Sequence, residues 1–481
     1  MKKILFFFIF PSFIRNFASQ KNPKMTKSGL TRAQELGTKP IGSLLAQYAL
    51  PSIIAMTASS LYNMVDSIFI GQGVGHLAIS GLAVTFPFMN LSTAFGTLVG
   101  VGAATLISVS LGQKDYDTAK KVLGNVVTLN ILIGIGFTIL SLIFLDPVLY
   151  FFGASADTIP YARDYMLIIL LGNIITHLYF GLNAVLRASG HPREAMIATI
   201  NTVVINTILD PIFIFGFGWG IRGAAIATIL AQTISLVWQL RIFSNPNEIL
   251  HFSKGIYKLK ADLVKRSIAI GLSPFLMNLA SCLIVIFINK GLKFHGGDLA
   301  IGAFGIANRI AFIFAMIVMG LNQGMQPIAG FNFGARQYHR VNQVLRLTIF
   351  YATIVMTVAF VVGVFFPHIV VRIFTSHDEL IQISAHALRI TVIVFPIVGF
   401  QMVTTNFFQS IGMAKKAIFL SLTRQLLFLL PCLIILPHYF QTDGVWWSMP
   451  VSDLLASIIA GIMLYQQFQE FKRRGNNEMV E

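Results

Sequence analysis

The run LYNMVDSIFI (61–70) sets one aspartate, Asp66, among apolar residues; between Glu35 and Asp115 the chain has no other acid, and between Lys39 and Lys114 no Lys or Arg. A second aspartate, Asp210, closes TINTVVINTILD (199–210). Ser59, Tyr62, Asn63 and Asp66 fall on one helical face, as do Thr199, Thr202, Asn206 and Asp210. Carboxylates with amide and hydroxyl oxygens beside them suit a hard cation such as Na⁺, or a proton, because two carboxylates in a low dielectric resist joint ionisation. The spacing predicts that Asp66 and Asp210 share one ion-binding site, with Asn206 one turn from Asp210. The plainer alternative is that each aspartate is a hydrogen-bonding group between packed membrane helices.

The elements that must position these residues are membrane spans. With 55% hydrophobic and 11% charged side chains in 481 residues, the chain has too little polar material to cover a globule in water. Its apolar runs are about 20 residues long, enough to cross about 30 Å of hydrocarbon as helices. They are continuous, unlike the alternating segments of a barrel. Polar breaks give twelve candidate spans: 44–70, 78–110, 122–144, 163–185, 195–216, 222–243, 266–290, 299–332, 344–367, 386–410, 418–436 and 446–468. The expected fold is an all-α integral membrane protein with an N-terminal lobe (40–243), a linker (244–265) and a C-terminal lobe (266–468). Tails at 1–39 and 469–481 flank them, and Met25 is the expected start of synthesis. The formal charge of +16 gathers in alternate loops, with Lys114, Lys120, Lys121, Lys254, Lys258, Lys260, Arg336, Arg340, Lys415, Lys416 and Lys472 on one side. That asymmetry places both termini in the cytoplasm and leaves no compact basic domain for nucleic acid.

The second half repeats the first about 222 residues on. SLGQKDYDTAKKVL (110–123) falls on NFGARQYHRVNQVL (332–345), and RASGHPREA (187–195) on QSIGMAKKA (409–417). At a one-residue slip RGAA (222–225) meets DGVW (443–446). Six spans per half make the halves parallel repeats, able to rock about a central cavity. Elsewhere in the spans, Arg309, Gln323 and Gln326 join Tyr62, Asn63 and Thr202 as candidates to line a substrate cavity. Asp453 reads as a helix-terminal residue, and the interiors of the seventh to eleventh spans hold no acid, so the coupling chemistry is expected on one side only. Pro51 and Pro274 occupy nearly matched positions, and GTLVGVGAATL (96–106) offers small residues for close helix packing. Cys282 and Cys432 have no metal-like spacing. No H-E-x-x-H, G-x-S-x-G elbow or P-loop occurs, so neither an enzyme nor direct use of ATP is expected.

The chain resembles the MATE family of multidrug and toxic compound extrusion transporters over roughly 40–470. The likeness lies in LYNMVDSIFIGQGVG and in the N-x-x-L-R, N-x-x-x-D-P and G-A-A-x-A-T motifs of 183–232. It is most similar to the DinF-like branch. The resemblance implies a V-shaped bundle in the cytoplasmic membrane of a bacterium that exports amphipathic, often cationic compounds in exchange for H⁺ or Na⁺. It implies a cation site at Asp66, Asn206 and Asp210, joined by Thr228 and the Ala224 carbonyl. No cofactor is expected; the partners are small amphipathic molecules and membrane lipid, and the chain is expected to be a monomer. The nearest rival is a flippase for a lipid-linked saccharide, and a more distant one is a membrane scaffold or sensor.

Overall fold

The computed structural model describes residues 29–477, and every regular element among them is helical. A helix pairs all its backbone groups internally, the condition for crossing hydrocarbon without an unsatisfied amide. A short helix, α1 (Gly29–Thr38), precedes the bundle, inside what the sequence marks only as a tail. Nine helices among the described residues are long and apolar enough to cross a membrane. Two bent pairs supply the fourth and tenth spans: Ile159–Leu171 with Asn173–Ala188 (57°) and Asp378–Val392 with Phe395–Ser410 (54°). The stretch Ala414–Arg473 breaks at Gln441 (φ 52°, ψ −127°) and supplies both the eleventh and the twelfth. Twelve crossings result, and several outrun their expected limits; the seventh is Ala261–Gly297 where hydropathy alone marked 266–290. The Met25 start lies outside the described residues.

The internal repeat is written in the backbone. Left-handed residues pair at the same offset: Gly75 with Gly297, Lys114 with Arg336, Gly190 with Gly412, each 222 residues apart. Gly220 pairs with Gln441 at 221, where the sequences slip by one. Each pair is a turn between consecutive spans, so the two lobes turn their chains at equivalent points.

The apolar cores show how the lobes meet. At the end carrying the basic loops, one cluster draws on both halves, joining Leu106, Ile107 and Leu111 to Ile328, Phe331 and Val344. At the other end there are two separate clusters. Ile70, Phe88, Leu149, Met166 and Ile214 belong to the N-terminal lobe, and Ile284, Ile288, Ala387, Val445 and Trp446 to the C-terminal lobe. The lobes are therefore joined at the basic end and part towards the opposite one, as a V. Close approach at the joint depends on two repeat-related glycines. A Cβ on Gly112 would run into the Phe331 carbonyl, and one on Gly334 into the Val109 carbonyl. In the GTLVGVGAATL run, Gly102 likewise lies against the Ser267 carbonyl of the seventh span.

Candidate functional site

Asp66 lies two turns before the end of the first span (Ile41–Gly73), and Asp210 just before Pro211 on the fifth (Pro192–Gly216). Proline has no amide hydrogen to continue the ladder, and the fifth span widens into a π turn at Ile212–Gly216. The widening begins two residues after the carboxylate it carries.

The structure brings the two aspartates together inside the N-terminal lobe. Asp66 is 6% exposed and Asp210 0%, and their carboxyl groups lie within hydrogen-bonding reach of each other. Asp66 Oδ1, both Asp210 oxygens and Asn206 Oδ1 are buried with no hydrogen-bond donor. Four acceptors without a donor make a pocket that fits a shared proton or a hard cation, since facing carboxylates cannot both stay ionised and bare.

Thr228, on the sixth span (Gly220–Phe243), is the hub beside them. Its hydroxyl lies 3.1 Å from the Ala224 carbonyl, 3.2 Å from Asn206 Nδ2 and 3.2 Å from the Tyr62 hydroxyl. A hydroxyl has one hydrogen and two lone pairs. Its hydrogen goes to Ala224, so Asn206 and Tyr62 must both donate to it. Thr228 is then saturated: it holds Asn206 and Tyr62 in place, and a cation would meet the carboxyl groups and the Asn206 carbonyl oxygen first. Tyr165, 2% exposed on the fourth span, stands beside Asp66, Asp210 and Thr228. Sequence reasoning missed it, because it follows the charged pair Arg163–Asp164 with no polar stripe to mark it.

The other candidates are dispersed. Thr202 lies about two turns before Asp210 on the fifth span and donates to Ser235 Oγ at 2.8 Å, between the fifth and sixth spans. Gln326 donates to Thr105 Oγ1 at 2.9 Å, and Gln323 Nε2 lies 3.3 Å from Met56 Sδ. Both glutamines thus tie the eighth span to the other lobe near the joint. Arg309 is exposed on the eighth span. The Asn63 side chain lies outside the described residues. Asp453 is not a helix-terminal residue: it is 3% exposed, inside the twelfth span, and paired with Arg424 Nε. A lone carboxylate there would be too costly, and the arginine offsets it.

The C-terminal lobe holds the same pocket emptied of polar atoms. At the repeat offsets, Tyr62 corresponds to Ile284, Asp66 to Ile288, Tyr165 to Ala387, Ala224 to Val445 and Thr228 to Met449. These five residues pack together as that lobe's outer apolar cluster. Asp210 and Asn206 correspond to Cys432 and Phe428. The fold therefore builds the same cavity twice and equips one copy.

The comparisons agree with this architecture. The MatE family model matches twice, at residues 51–212 and 269–434, one match per lobe. The multidrug export protein MepA of Staphylococcus haemolyticus is 28% identical over 421 residues, 88% of this chain and 92% of that protein. MepA of Staphylococcus aureus (strain MSSA476) is 27% identical over 426 residues, covering 89% and 94%. A solved structure of the MATE multidrug transporter DinF-BH, in complex with a rhodamine dye, superposes with a TM-score of 0.83 at 37% identity, covering 89% of this chain and 96% of that one. An outward-facing MATE transporter of the MOP superfamily shares the fold at a TM-score of 0.87 and 24% identity, covering 93% and 99%. With two matching lobes, twelve spans and the family model over both halves, this chain belongs to the MATE family.

Proposed function

We propose that this chain is a secondary active multidrug efflux antiporter of DinF-like type, exporting amphipathic, often cationic compounds in exchange for protons. The observation that carries the coupling is the buried Asp66–Asp210 pair, three of whose four oxygens have no donor, present in one lobe only. A proton bridging the two carboxyl groups removes the repulsion between them and lets the first and fifth spans close on each other. Its loss leaves two anions that favour a different spacing of those helices. Tyr62 and Asn206, both donating to Thr228, hold the pair's surroundings fixed while its charge changes. Proton and drug then favour different arrangements of the lobes, and their reciprocal antagonism is what exchange requires.

One observation favours Na⁺ as a second reading. Asn206 Oδ1 joins the three carboxyl oxygens as an acceptor without a donor. Together they offer an oxygen set of the kind hard cations take. In this reading Na⁺ would meet Asp66, Asp210 and Asn206, with Thr228 and Ala224 recruited only if their mutual hydrogen bond opens.

The flippase alternative is weaker. A pyrophosphate headgroup calls for free cations in the cavity, and of the chief candidates Arg309, Arg389 and Arg424, Arg424 is tied to Asp453. The reading further places the basic end in the cytoplasm of a bacterial cell, by the positive-inside rule. The decisive experiment is dye efflux from proteoliposomes under separately imposed pH and Na⁺ gradients. Proton coupling expects efflux with the pH gradient alone, lost in both Asp66→Asn and Asp210→Asn. If both variants still move dye against a gradient, the site is not the coupling site.

A further inference from the structure

The helix α1 lies across the joint between the lobes, and both of its ends are held. Near its start, Arg32 Nη1 is 3.4 Å from Glu248 Oε1 in the linker and 3.9 Å from Glu194 Oε1 at the start of the fifth span. At its far end the partners belong to the other lobe. Arg340, on the ninth span (Tyr338–Phe365), donates from Nη2 to the Leu36 carbonyl at 3.1 Å and to the Lys39 carbonyl at 2.6 Å. Asn332, on the eighth span (Leu299–Gly334), donates to the same Leu36 carbonyl at 3.0 Å. Arg340 Nε also donates to Asn332 Oδ1 at 2.8 Å, so the two side chains form one preset socket. Leu36 itself is fully buried in the cluster the lobes share.

The last carbonyls of a helix have no partner within it and carry its partial negative charge. Here an arginine and an amide of the opposite lobe satisfy them. The arrangement has a repeat-related counterpart. The linker segment before the seventh span, equivalent to α1 at the 222-residue offset, lies across the third span, where Thr128 Oγ1 donates to the Tyr257 carbonyl at 2.9 Å. Each lobe's leading segment thus crosses onto the other lobe at the basic end.

We propose that α1 is the inner gate of the transport cycle: a bolt carried by the N-terminal lobe, whose carbonyl end locks into the Asn332–Arg340 socket of the C-terminal lobe and holds the V closed at its basic end. Opening that end requires withdrawing the bolt, which breaks the Arg340 and Asn332 hydrogen bonds and uncovers Leu36. Arg340 and Asn332 are positioning residues: they set which end of the V is open and touch neither the carboxyl pair nor, in this arrangement, the cleft.

The inference rests on the alternating-access reading, and its test is kept separate from transport. Spin-label distances are measured in lipid nanodiscs, on the full chain with Cys282 and Cys432 replaced by serine. An inner pair sits at the exposed, repeat-related Asp117→Cys and His339→Cys, and an outer pair at Gln72→Cys and Phe294→Cys. In Arg340→Ala and in Asn332→Ala the population with a long inner distance is expected to rise roughly tenfold. The outer distance should shorten in step, and Arg340→Lys should restore part of the shift. Unchanged distances overturn the proposal. So does broadening of both pairs together, because a merely loosened fold does not exchange one opening for the other. If dye efflux is absent while the distances still exchange, the transport reading fails and the gate stands.

Discussion

At the scale of single residues, hydrogen-bond accounting separates groups that change state from groups that hold them. Thr228 uses its one hydrogen and both lone pairs, while Asp66, Asp210 and Asn206 keep four acceptor oxygens unmatched. Thr228→Val keeps the shape but leaves the Asn206 amide and the Tyr62 hydroxyl without their acceptor. Each stranded donor costs about 1–3 kcal/mol. The variant is expected to unfold at a lower temperature in detergent and to lose efflux; unchanged thermal unfolding would refute the hub assignment. Asp66→Asn behaves differently, since an amide can donate to Asp210 as a protonated carboxyl does. It should melt no lower than the parent, yet lose the efflux that the pH gradient drives. A variant that loses both stability and coupling would instead mark Asp66 as structural. None of this needs a polar partner in the other lobe, where Ile284, Ile288, Val445 and Met449 fill the equivalent volume.

At the scale of elements, the spans owe their existence to hydrophobic length and their breaks to local chemistry. The fourth and tenth spans bend at repeat-related points, so the bend belongs to the duplicated unit. The segments outside the bilayer are held by ion pairs. Glu248 in the linker receives both Arg32 and His191 Nε2, the latter at 3.3 Å. The His191 ring beside it and the charge of Arg32 hold the Glu248 carboxyl below the usual carboxylate range. The sign follows directly: a lowered carboxyl contributes stability above its ordinary titration range and loses it as pH falls through the lowered value. Glu248→Gln should therefore melt lower than the parent at neutral pH. The difference should persist down to the ordinary carboxylate range and shrink only below it. A difference already gone at mildly acidic pH would rule out Glu248 as its source. The magnitude is modest, about 1 kcal/mol or less, because Arg32 keeps roughly a third of its side chain in solvent.

At the scale of the molecule, the V comes from one shared core at the basic end and two separate cores at the other. The joint is tight because glycines meet carbonyl oxygens there, so Gly112→Ala should push the lobes apart at that end. Overpacking of this kind costs about 1–3 kcal/mol. That favours the opposite opening by roughly five- to a hundredfold, which the Asp117–His339 label pair would read as a longer distance. An unaltered distance distribution would mean that the joint relaxes without moving the lobes.

The sequence by itself determined the membrane class and the duplication, and it singled out Asp66, Asn206 and Asp210, which the fold brings together. All of these follow from one-dimensional patterns: hydropathy over a span's length, an offset held across six spans, and polar residues at helical spacing. It could not determine what depends on distance across the bundle. Tyr165 carries no helical stripe and enters the site only because the fourth span packs beside the sixth. Asp453 looked terminal because its partner, Arg424, lies 29 residues away on another helix. Gln326 looked like a cavity residue and is a tie between lobes. The helix α1 looked like a tail because its anchors, Asn332 and Arg340, lie about three hundred residues further along the chain. A polar side chain in a membrane span must find a partner, and only the packing of the helices decides which one.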